Sequence, residues 1–149
     1  MTTAGMDQLR QMASQGQPAA MFNLGNFTLY GAMGIDKDEV SGVQLLENAM
    51  EKSASDSYIK GLAARYLGMH FFKNDNDVPK SFLYFKKAVK FGDNASYNGV
   101  GRCQMRLGQT EEGIFSIRKS LHCGIQDKQV LEDIMMFYRQ GLITKDEYL

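Results

Sequence analysis

Small residues return at fixed intervals along this 149-residue chain, and that pattern, more than any other, limits what it can fold into. In three places a small residue is followed seven positions on by another, and four further on by a residue that can stop a helix. These triplets are Gly42, Ala49, Ser53; then Ser81, Ala88, Gly92; then Gly113, Ser120, Gly124. A second anchor, a leucine-glycine-like pair, reads Leu24-Gly25, Leu62-Ala63 and Val100-Gly101, at intervals of 38 and 38. Self-similarity of this length marks stacked repeats, in which each unit buries its apolar face only against its neighbours. Gly25, Ala63 and Gly101 then belong where the two helices of a hairpin approach most closely, because a larger side chain would push them apart.

Each unit reads as two helices. Met21, Leu24 and Leu29 follow a helical period, and Pro18 suits a first turn. Gly31 and Gly34 break that helix, and the acidic run at 36–39 favours the positive end of the next. Val43, Leu46, Ala49 and Met50 give the second helix one apolar stripe. The same scheme predicts helices over 56–71, 79–91, 94–107, 110–122 and 128–140, with Asp77 as an N-cap and Gly92 as a stop. Thr144 and Glu147 have capping-box spacing, so another helix is expected to start there. No useful strand-period alternation is present. The chain is therefore expected to be one helical-repeat domain over 1–149. Its parts are a closing half-repeat (1–16), repeats at 18–53, 56–92 and 94–124, and a partial fourth repeat at 128–149.

Charge narrows the function. Seventeen basic and seventeen acidic side chains balance, without the basic excess that phosphate backbones or anionic lipid surfaces demand. No apolar run reaches the roughly 20 residues of a bilayer span. No nucleic-acid or membrane partner is expected, and the setting is expected to be intracellular and cytoplasmic. His70 and His122 lie far apart without metal-ligand spacing, so neither a metal nor another cofactor is expected. The carboxylates at Asp36, Asp38, Glu39, Asp75 and Asp77 precede helices, where helix-start electrostatics explains them more simply than catalysis. Lys80, Lys86, Lys87 and Lys90 read as a solvated face.

Taken together, these residues resemble the Sel-one-like repeat (SLR) family, a branch of the tetratricopeptide-like helical repeats. The first unit carries the resemblance in Ala20, Leu24-Gly25, Gly31, Gly34-Ile35, Asp38, Gly42 and Ala49. The second carries it in Leu62, Tyr66, Asp77, Ser81, Phe85, Ala88-Val89 and Gly92, and the third in Val100-Gly101, Gly113, Ser120 and Gly124. The resemblance implies an all-α fold, a right-handed α-solenoid of stacked antiparallel hairpins. It also implies a protein-interaction scaffold or adaptor, not an enzyme.

By the same resemblance a groove lined by the first helix of each unit would hold another protein or a peptide. Its residues here would be Phe22, Asn26 and Tyr30; Lys60 and Ala64; and Asn98, Arg102 and Arg106. That mixture of aromatic, amide and basic groups suits a ligand of acidic and apolar character. Two other classes are weaker expectations. An SLR enzyme of the β-lactamase-like kind would go with cysteine-rich units and a signal peptide. A helical-repeat RNA binder would be basic, with even units. Some secreted SLR proteins staple a hairpin with a disulfide. Here Cys103 and Cys123 should sit roughly 10 Å apart along the helix axis, at a rise of about 1.5 Å per residue, so free thiols are expected. The ending from Tyr138 to Tyr148 is similar to that of SLR proteins with an upstream RING-type zinc module. An apolar last hairpin with Ile134, Met135, Met136 and Phe137 implies either a longer chain or weak homodimerisation.

Overall fold

The computed structural model describes residues 2–52, 56–74, 76–124 and 128–144. Among them the chain forms eight α-helices and no strand: α1 Thr3–Ser14, α2 Pro18–Tyr30, α3 Glu39–Lys52, α4 Ser57–Lys73, α5 Val78–Lys90, α6 Ser96–Arg106, α7 Thr110–His122 and α8 Lys128–Arg139. The helix expected to begin at Thr144 falls on residues outside the described ones, as do Ser53 and Asp75.

Side chains set the helix starts. Asp38 Oδ1 accepts from the Ser41 N–H at 3.1 Å, Asp56 Oδ1 from Ile59 at 3.1 Å, and Asp77 Oδ1 from Lys80 at 3.2 Å. Each satisfies a backbone donor that the first turn leaves free. The hydrogen bonds from Ser41 hold the Asp38 carboxyl below its ordinary range. These carboxylates are structural caps, as their position before helices implies.

Successive helices pack antiparallel into hairpins, α2 with α3, α4 with α5, and α6 with α7, and each hairpin leans on the next. The first helices also touch one another, α2 against α4 and α4 against α6, forming one row. The second helices form the other row. This is an α-solenoid.

Contacts inside the hairpins correct the register expected from sequence. A Cβ added at Gly25 would lie 3.1 Å from the Leu46 side chain, and one added at Gly101 would lie 2.5 Å from Ile117. The matching close approach in the middle hairpin is at Gly68, 2.9 Å from the Phe85 ring, and not at Ala63. The backbone agrees. The N–H that opens each second helix donates to a first-helix carbonyl: Asp38 to Thr28, Asp77 to Phe71 and Gln109 to Gln104, each at 2.8 Å. Equivalent residues are therefore Gly25, Gly68 and Gly101, spaced 43 and 33, so the true anchor of the second unit is Leu67-Gly68. The cause lies in the connections. The α2–α3 loop spans 31–38, whereas the α4–α5 loop spans only 74–77 because α4 runs about one turn longer. On the second helices Gly42, Ser81 and Gly113 are close-approach points to the first helix of the same hairpin. A Cβ on Gly42 would come within 2.7 Å of the Leu29 backbone, and Ser81 Oγ donates to the Gly68 carbonyl at 2.7 Å.

The core falls into three groups. The largest gathers Leu29, Leu46, Ala49, Met50, Ala63, Ala64, Leu67 and Tyr84 with their neighbours from α1 to α5. Phe85, Val100 and Cys103 form a small second group, and Ile114, Ile117, Val130, Ile134, Phe137 and Ile143 a third between α7 and α8.

One polar contact ties the first repeat to the second: Tyr84 Oη donates to Glu47 Oε1 at 2.6 Å. Burial, then the hydrogen bond to Glu47, then the charges of Glu47 and Glu51, push the Tyr84 pKa up from its ordinary 10.0. A raised value means that the fold holds the proton. The associated stability is complete below pH 10 and is lost as pH rises above it. Urea unfolding at pH 9 and 11 should show that loss, and Tyr84→Phe should shrink it. An equal loss in both proteins would contradict this assignment.

Candidate binding groove

The corrected register defines which residues share a face of the first-helix row. Phe22 aligns with Arg65 and Asn98, Asn26 with Met69 and Arg102, and Tyr30 with Lys73 and Arg106. Of the residues expected from sequence, Asn98, Arg102 and Arg106 are brought together on α6, and Phe22, Asn26 and Tyr30 on α2. Phe22 packs edge-to-face on Tyr66 of α4 with ring centroids 5.3 Å apart. Tyr30 remains 47% exposed. Partial burial and the neighbouring Tyr66 raise its pKa, so it presents a neutral hydroxyl.

Lys60 and Ala64 do not fit. Ala64 is 0% exposed within the largest core group and cannot reach a ligand. Lys60 holds its ammonium 5.3 Å over the Phe91 ring at the end of α5. The α4 residues on the row's open face are instead Arg65, Met69 and Lys73. Sequence reasoning missed them because it anchored on Leu62-Ala63. The better signal was present, a literal Leu67-Gly68 with an aromatic, Phe71, three residues on.

Two cavities open along this face. One, of about 330 Å³, lies between α4 and α6, with Arg65, Met69, Phe72, Lys73, Asn98 and Arg102 around it and Gln129 of α8 at its edge. The other, of about 270 Å³, lies between α6 and α8 and is bounded by Phe72, Arg102, Arg106, Asp133 and Met136. Phe72 and Arg102 belong to both, so the two adjoin. The walls combine thioether and aromatic surface with four cations, Arg65, Lys73, Arg102 and Arg106.

Two carboxylates engage those cations. Arg65 Nε stands 3.1 Å from Asp93 Oδ2, in the turn between α5 and α6. Arg102 makes a two-pronged contact with Asp133 of α8, Nε to Oδ2 at 3.2 Å and Nη2 to Oδ1 at 3.3 Å. Arg106 lies with its guanidinium 4.8 Å over the Phe72 ring, and its Nη1 donates to Asn76 Oδ1 at 3.3 Å. Lys73 is exposed.

The remaining candidates from sequence have structural places. His70 is buried on α4, with Nδ1 3.1 Å from Asn74 Nδ2, and His122 lies in the last turn of α7. Cys103 is buried and Cys123 exposed, both as free thiols. Lys80 and Lys86 stand 4.4 Å and 4.3 Å over the rings of Phe71 and Phe82. Among the described residues no three metal-ligating side chains gather, and no helix is long and apolar enough to cross a membrane.

This architecture defines a class, the α-solenoids of helix-hairpin repeats. Within it the fold is of the Sel1-repeat type. The chain is similar to the crystal structure of a Sel1 repeat protein from Oxalobacter formigenes, with a TM-score of 0.68 and 20% sequence identity. The match covers 89% of this chain and 54% of that one, so the chain spans about half the length of that protein. No family model and no curated protein sequence matches.

Proposed function

We propose that this chain is a protein-interaction module that holds a peptide or helix of acidic and apolar character along its row of first helices. The observation that carries this reading is the pair of adjoining cavities, where Met69, Phe72 and Met136 offer apolar surface beside Arg65, Lys73, Arg102 and Arg106. Apolar anchors flanked by cations select a ligand that alternates carboxylates with large apolar side chains. The Sel1-type fold supports the reading, since stacked hairpins present one extended surface. On this reading Phe22, Asn26 and Tyr30 continue the surface on α2, and Asn98 supplies an amide between the arginines.

The test is fluorescence anisotropy with a labelled peptide of alternating Glu and Leu, against a neutral Gln/Leu control. The double variant Lys73→Glu, Arg106→Glu alters exposed positions and should leave the circular dichroism spectrum intact. Its affinity for the Glu/Leu peptide should fall on the order of tenfold or more, as reversal of two groove charges implies. Equal binding of both peptides, undisturbed by the double variant, would remove the charge-directed part of the proposal.

A further inference from the structure

Resting on that reading of the groove, we infer that Asp133 of α8 is a built-in stand-in for the ligand's carboxylate. Docking of α8 and binding of an acidic segment therefore compete for Arg102.

The geometry shows that this part of the groove already takes a carboxylate. Asp133 is 9% exposed, and its two oxygens receive four hydrogen bonds from three residues. Arg102 gives two in parallel. Asn98 Nδ2 adds one to Oδ2 at 3.4 Å, and Gln129 Nε2 one to Oδ1 at 3.1 Å. A planar guanidinium offers two such edges, and Asp133 occupies the one formed by Nε and Nη2. An incoming Glu or Asp that seeks the same edge must displace it.

The helix that carries Asp133 is suited to give way. Among the described residues it packs mainly against α7. Its inner residues, Val130, Ile134 and Phe137, join a core group apart from the main one. Elements with a small separate core and few contacts sit at the low-stability end of a fold. The Asp133 hydrogen bonds tie α8 to α6, and the apolar face of α8 rests mainly on α7, with Met105 of α6 packed against the same group. Losing the polar fastening loosens α8 without unfolding the array. The consequence is linkage: whatever favours the Asp133–Arg102 pair lowers ligand affinity, and bound ligand favours the unfastened helix.

Two measurements test this with the whole chain and the labelled Glu/Leu peptide. First, Asp133→Asn keeps shape and the acceptor at Oδ1 but removes the charge, and it should bind the peptide about fivefold tighter or better, since it removes an internal competitor. Second, saturating peptide should speed amide hydrogen exchange in α8 of the wild-type chain while slowing it in α4 and α6; this needs no variant to fold. Equal or weaker binding by Asp133→Asn together with peptide-induced protection of α8 would overturn the inference and leave the groove reading standing. Failure of both proteins to bind the peptide would overturn the two together.

Discussion

Gly101→Ala and Gly42→Ala should each destabilise the protein by about 2–3 kcal/mol, although both lie in helices, where alanine is intrinsically favoured over glycine by about 1 kcal/mol. The sign is the informative part. A Cβ on Gly101 would sit 2.5 Å from Ile117 Cγ1 and 2.6 Å from the Gly113 carbonyl oxygen. One on Gly42 would sit 2.7 Å from both the Cα and the nitrogen of Leu29. Backbone atoms cannot rotate away as a long side chain can, so the helices of the hairpin must separate. Separation loses contact along the whole crossing, which is why the overpacking cost exceeds the propensity gain. Urea denaturation measures the loss, and the midpoint of the melting stage that carries each hairpin should fall by roughly 5–10 °C for a chain of this size. Unchanged or raised stability in both variants would mean that these glycines are not the close-approach points of their hairpins.

The second large effect concerns the middle unit. Leu67→Ala should lose about 3–4 kcal/mol, in the range for emptying a fully buried leucine site. Leu62→Ala should lose about half that or less, because a side chain still partly in water recovers less on burial. Leu67 is 0% exposed at the centre of the largest core group, whereas Leu62 is half-buried and packs at its margin. The pair separates the two registers directly. If Leu62 proved the costlier deletion, the leucine-glycine anchor would belong at Leu62-Ala63.

That comparison also shows where the sequence was readable. The second helices were legible to within a residue or two because their signals are local and reinforce one another. Asp38 and Asp77 cap them, Gly42, Ser81 and Gly113 mark their close contacts, and an apolar stripe follows. Helix α7 was expected at 110–122 and lies at Thr110–His122. The first helix of the middle unit was harder. Its small residues are abundant, with Gly61, Ala63, Ala64 and Gly68 all buried, and spacing alone does not say which faces the partner helix. Even spacing favoured Ala63. The extra turn of α4, offset by a short loop after it, put the real anchor five residues later. That slip moved the groove's middle third. On α2 and α6 the pairs read from sequence, Leu24-Gly25 and Val100-Gly101, are the ones that meet the partner helix, although α6 also buries Gly99. Asp133 was not singled out, since a lone acidic residue on an amphipathic helix has no local signature. Its partners lie 31 and 35 positions away in sequence.

The division of the buried side chains into three groups has a thermal consequence. Heat does not have to dissolve this molecule all at once. The broad group beneath α1 to α5 should hold together after the narrow one between α7 and α8 has let go, and a calorimetric scan should then show heat absorbed in stages. A single melting temperature then averages over parts that soften at different points. The described array would then be stiff beneath α1 to α5 and yielding beside α8.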